Sequence, residues 1–99
     1  MFISVGQDGK LTLREPDDFK RLHAEAADAG MPREAVAAAL SAIATVEDGN
    51  AWVGVEALRQ LSGRAGDPAW SGSFDSMIKS VQKFGWVSPD GARVRCHIK

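Results

Sequence analysis

From residue 93 to the end of the chain, cationic and apolar side chains alternate. Arg93, Arg95, His97 and Lys99 occupy the odd positions; Val94, Cys96 and Ile98 occupy the even ones. A β-strand points successive side chains to opposite faces, so this pattern predicts a strand with one greasy face and one cationic face. Along it the charges recur about every 6.8 Å. A phosphate backbone can use such a ladder, and a strand defended by charge against edge-to-edge aggregation carries the same residues. A second group lies between residues 74 and 83. At 100° per residue, Phe74, Met77, Ile78 and Val81 share one side of a helix, while Ser76, Lys79, Ser80 and Lys83 share the other. Lysines neutralise phosphates and serines donate short hydrogen bonds; an ordinary solvated helix face has the same composition. Bidentate base readers are missing from that side, where only Gln82 comes near the flank, so strong base discrimination is not expected. Arg64, on the preceding loop, joins the cationic set. Trp70 stands in the same loop: exposed, it is a protein-binding anchor, and tucked back, it pins the loop.

For catalysis the chain offers little. Its single cysteine, Cys96, alternates toward the core and reads as a small hydrophobe rather than a nucleophile. His23 is expected at the border of an amphipathic helix, and His97 on the cationic strand face. Two histidines and one cysteine this far apart give no metal-ligand spacing. Gly63-x-x-Gly66 with Gly72 lacks the Gly-Lys-Ser/Thr of a phosphate loop. Asp17-Asp18 reads as helix capping. No enzyme activity, metal or cofactor is expected.

Ninety-nine residues, 44% hydrophobic and 25% charged, fit one domain, 1–99, with 1–30 and 31–99 as its two parts. A lone cysteine closes no internal disulfide, and residues 1–5 lack the basic start and long apolar run of a signal peptide. The expected location is the cytoplasm, with no membrane partner. The net charge is −1, but residues 1–58 balance to −5 and residues 59–99 to +4. An acidic first half and a basic second half suit a one-sided anion-binding surface.

The elements that must position these residues follow from local signals. Residues 2–5 and 10–14 flank Gly6-Gln7-Asp8-Gly9, and Asp-Gly between β-rich runs predicts a hairpin. Glu15-Pro16-Asp17-Asp18 reads as a helix start, with Phe19, Leu22 and Ala26 at helical spacing and Gly30 as the exit. A second helix begins at Met31-Pro32; Val36, Leu40, Ile43 and Ala44 form its stripe, and Asp48-Gly49-Asn50 ends it. Ala51-Trp52-Val53 is a short extended candidate. Val55, Leu58 and Leu61 mark a third helix, stopped at Ser62-Gly63. A loop spans 64–72, and Ser73 caps the fourth helix. Trp86-Val87 and residues 92–98 pair about the turn Ser88-Pro89-Asp90-Gly91. Trp52 and Trp86 are expected to close the core.

From residue 33 to 98 this order resembles a winged helix, a variant of the helix-turn-helix. Residues 52–58 look like the short strand entering the second helix of that fold. Phe84-Gly85-Trp86-Val87 looks like the end of a recognition helix turning into a wing, and residues 88–98 look like the wing itself. The loop before the fourth helix is longer than the turn of about three or four residues in a compact helix-turn-helix. The resemblance implies an α+β, mainly helical fold and a DNA-binding protein, a transcriptional regulator or accessory factor. In it the fourth helix enters the major groove and the wing lies on the backbone. Few base readers on so small a chain imply a homodimer. The alternative is a non-enzymatic protein-interaction module on the same scaffold.

Overall fold

The computed structural model describes residues 1–20 and 22–99; Arg21, counted in the charge balance above, lies outside them. The N-terminal hairpin forms as expected. β1 (Phe2–Val5) pairs antiparallel with β2 (Leu11–Arg14), Ile3 opposite Leu13 and Val5 opposite Leu11. Its turn is closed by the Gly6 and Gly9 amides donating to the Lys10 and Gly6 carbonyls, both at 2.9 Å.

The helix expected over 15–30 does not form. The chain turns through residues 15–20, and His23–Ala26 become a strand, β3, parallel to β1. Ala24 is fully buried, while His23 and Glu25 point the other way. What decides this is tertiary. The slot lies between two strands that satisfy both backbone edges: the Ala27 amide donates to Val5 (2.8 Å) and the Lys99 amide to Ala24 (2.9 Å). Pairing of this kind overrides a helical spacing of apolar residues.

The next helix, α1 (Arg33–Leu40), stops earlier than its stripe suggested. Ala44 opens β4 (Ala44–Glu47) instead, which turns back into β5 (Asn50–Gly54). Asp48 and Gly49 have φ of 51° and 79°. Two successive left-handed residues make the mirror-image turn that matches strand twist, so this dipeptide builds a hairpin rather than ending a helix. β5 runs straight into α2 (Val55–Leu61), the expected third helix. α3 (Pro68–Gln82) begins well before Ser73: the Asp67 carboxylate accepts from the Ala69 and Trp70 amides at 3.0 and 3.4 Å, with Pro68 in the first turn.

β6 (Arg93–Ile98) overturns the winged-helix reading. It lies between β3 and β5 in a six-stranded mixed sheet of order β2-β1-β3-β6-β5-β4. A wing is a peripheral ribbon, whereas this strand is central, antiparallel to β5 and parallel to β3. Residues 86–88 add a fragment of pairing beside its first half: the Arg95 amide donates to Trp86 (2.7 Å) and the Ser88 amide to Arg93 (2.9 Å). The molecule is an α/β fold with 31% helix and 29% strand, not a mainly helical one. No helix among the described residues is long and apolar enough to cross a membrane.

One sheet face is the core. Ile3, Val5, Ala24, Ala51, Val53, Val94, Cys96 and Ile98 are nearly or fully buried there, together with Val36 and Leu40 of α1 and Leu58 of α2. The opposite face carries the alternate residues of the same strands.

Candidate binding surface

Because β6 is central, its cationic row projects from the middle of the outer face rather than from an edge. Arg93, Arg95 and His97 are exposed, as the alternation predicted. Cross-strand register supplies their neighbours. Arg95 lies opposite Trp52 of β5. His97 lies between Asn50 of β5 and His23 of β3, and His23 in turn lies beside Phe2 of β1. Trp52, Asn50, Phe2 and His23 are all half-buried, and at the Phe2–His23 end Phe19, Leu22, Met77 and Val81 line a cleft with that pair.

Aromatic and cationic groups interleave across this face. The Arg95 guanidinium sits 5.0 Å from the Trp86 ring centroid, Phe84 and Trp86 are 5.1 Å apart, and the Lys83 ammonium is 5.4 Å from the Phe84 ring. Phe84 is 60% and Trp86 38% exposed, the two large hydrophobic side chains most open to water among the described residues. On the β5 side the Arg93 guanidinium donates to the Trp52 carbonyl (3.1 Å). On the β3 side Phe2 and His23 stack at 4.9 Å with their planes 10° apart, and the His23 Nε2 lies 2.9 Å from the Glu25 carboxylate. Beside Trp86 opens a cleft of about 570 Å³. Arg95, His97 and Lys99 form one wall, and Leu22, Met77 and Val81 contribute apolar surface.

The structure thus gathers Arg93, Arg95, His97, Lys99 and Lys83 into one neighbourhood, the last through Phe84. The other predicted residues stand apart. Ser76, Lys79 and Ser80 are exposed on α3. Arg64 forms a forked ion pair with Asp17, at 3.0 and 3.3 Å, and so anchors the 15–20 segment. Trp70 is only 3% exposed; its indole N–H donates to the Pro16 carbonyl at 2.8 Å and its ring stacks on Phe74 at 4.9 Å. It pins the chain and offers no surface to a partner. Cys96 is fully buried, and burial pushes its thiol up to about 12. Among the described residues no three His, Cys, Asp or Glu side chains converge to hold a metal.

Trp52 and Trp86, expected to close the core, instead lie on this face, the first half-buried and the second 38% exposed, because the period of two and the pairing with Arg95 turn them outward. Sequence reasoning also missed Phe84, Phe2 and His23. Trp52 had a usable signal: between Ala51 and Val53, a period of two sends it to the opposite face. The pairing of Phe2 with His23 had none, because it arises only from sheet order. Compared with protein-family models, with characterised proteins and with solved structures, the chain finds no match.

Proposed function

We propose that the protein binds single-stranded nucleic acid across the outer face of its sheet. The observation that carries this reading is the interleaving of aromatic rings and cations on a partly open face: Trp52, Arg95 and Trp86, with Phe2 and His23 beyond. Unpaired bases stack on exposed rings whatever their identity, and guanidinium and ammonium groups track the phosphates. A duplex hides its base faces from such rings. From β5 to β1 three strand spacings cover about 14 Å, enough for more than one base to engage.

The test is quenching of tryptophan fluorescence by a mixed-sequence single-stranded 12-mer and by its duplex, at low salt and then with added salt. The single strand binds better. Each stacked base is worth about 1–3 kcal/mol, so Trp86→Ala or Trp52→Ala weakens binding about 5- to 150-fold. With about three phosphates neutralised, the logarithmic salt slope is about −2. Tighter binding to the duplex, or no binding to either, overturns the reading.

A second reading, protein docking, draws on the exposure of Phe84 and Trp86 beside Arg95, since aromatic residues and arginine dominate interface hot spots. It takes the lead if the strip binds no nucleic acid and Trp86→Ala releases a partner protein without a steep salt dependence.

A further inference from the structure

We infer that the cleft beside Trp86 is a subsite for one nucleotide, with the base in the cleft and the phosphate on its cationic rim. This inference rests on the nucleic-acid reading above and makes it specific. A volume of about 570 Å³ falls in the range of small-molecule sites and far exceeds what a lone anion needs. The chemistry of its walls is divided. Arg95, Lys99 and Lys20 supply positive charge, and Leu22, Met77, Val81 and Trp86 supply apolar and aromatic surface. A ligand that satisfies both is a planar ring carrying an anion.

Two carboxylates, Glu15 and Asp18, also line the cleft. The Asp18 carboxylate already accepts from the Lys20 amide at 3.0 Å; Glu15 repels a second anion and accepts hydrogen bonds from a ring that presents N–H groups. Guanine offers two adjacent donors, N1–H and the exocyclic amine, which suit a carboxylate; uracil flanks its one N–H with two carbonyls that a carboxylate repels. The site therefore favours a guanine nucleotide over a uracil one. The Glu15 side chain is exposed.

The experiment is a titration of the isotope-labelled full chain with guanosine 5′-monophosphate, uridine 5′-monophosphate, guanosine and inorganic phosphate, followed by NMR. Guanosine monophosphate moves the Met77 methyl and the Trp86 indole signals. Lys99→Ala weakens it roughly tenfold, the worth of one charge-assisted hydrogen bond. Glu15→Gln, an exposed change that leaves the fold intact, cuts the guanosine-over-uridine preference. Inorganic phosphate reproducing the same shifts overturns the inference, because the cleft is then only a cationic patch. Absence of shifts with either mononucleotide at millimolar concentration also overturns it. The two readings fail separately: Trp52→Ala lies outside the cleft, so it weakens the 12-mer and leaves the mononucleotide untouched. If the 12-mer binds and the mononucleotide does not, only the subsite falls.

Discussion

Replacing Trp70 tests how the N-terminal segment is held beside the cleft. The side chain is nearly buried, stacks on Phe74 at 4.9 Å, meets Phe19 at 6.1 Å and donates to the Pro16 carbonyl at 2.8 Å. Two contributions are separable. Truncating a buried Trp to Ala costs about 3–5 kcal/mol through lost transfer energy and the cavity left behind. A hydrogen bond to a half-buried carbonyl is worth about 1 kcal/mol. Trp70→Phe keeps a ring on Phe74 and loses the N–H, so it costs about 1–2 kcal/mol, against 3–5 for Trp70→Ala. A domain of this size holds roughly 5–15 kcal/mol in all, and each kcal/mol is worth about 4–8 °C. Trp70→Ala thus lowers Tm by roughly 15 °C or more, and Trp70→Phe by about 5–15 °C. Urea denaturation followed by far-ultraviolet circular dichroism measures both. The reasoning fails if Trp70→Ala lies within about 0.5 kcal/mol of the parent, because the side chain is then not packed. It also fails if Phe is as damaging as Ala, because the ring stack then contributes nothing.

Three further outcomes follow from single residues. Gly49→Ala places a methyl group at φ of 79° and 3.1 Å from the Arg33 guanidinium, which itself donates to the Ile98 carbonyl at 3.2 Å; it destabilises by about 1–2 kcal/mol in a denaturant melt, and a neutral result rejects the mirror-image turn. The Ser88 hydroxyl and the Ala92 amide donate to Asp90 and hold its carboxyl below the ordinary range. With the folded pKa depressed, its stabilising contribution is present above the unfolded value and is lost as pH falls through the folded one. An NMR titration of Ser88→Ala therefore shows the Asp90 midpoint moving upward, and an unmoved midpoint removes the hydroxyl as the cause. Burial pushes the Cys96 thiol up to about 12, so a disulfide reagent labels it only after unfolding; labelling of the native chain within seconds contradicts its place in the core.

What the sequence disclosed and what it concealed divide by the range of the deciding interaction. The first hairpin was legible because Asp8-Gly9 acts locally, and the faces of β6 because alternation needs no knowledge of neighbours. Centrality of β6 was not legible, since Val94, Cys96 and Ile98 point inward equally in an edge ribbon and in a middle strand. β3 was hidden for the same reason: its slot is made by β1 and by β6, a strand some seventy positions further along. Two misreadings had local signals available. Asp48-Gly49 is the same dipeptide as Asp8-Gly9 and likewise joins two antiparallel strands, though as a tighter turn with both residues at positive φ, and Asp67-Pro68 is a capping residue followed by a first-turn proline. For the surface, the alternation of residues 93–99 found the cations, but their aromatic partners come from four other stretches of chain, at Phe2, His23, Trp52 and Phe84–Trp86.

On the proposed reading, the position of those partners constrains how a bound strand of nucleic acid would lie. Trp52 is level with Arg95, whereas Phe2 and His23 are level with His97, two residues further along β6. A ligand that touches both must cross about 14 Å of sheet while advancing about 7 Å along it, so its backbone runs obliquely to the strands. A path parallel to β6 meets its cations but only one aromatic flank, and a purely perpendicular path misses either Trp52 or the Phe2–His23 stack. Trp86 sits beside Arg95 on the side away from Trp52, so Trp52, Arg95 and Trp86 form one level row across the sheet, and the cleft opens beside its Trp86 end. Cations on a central strand suit this geometry better than cations on a peripheral ribbon. Both neighbouring strands fix the backbone that carries them, so less conformational freedom is lost when a flexible chain is bound. The face is cationic on a chain of net charge −1. On the proposed reading attraction is therefore local to the row of Arg93, Arg95 and Lys99, and selectivity for single strands would rest on the rings.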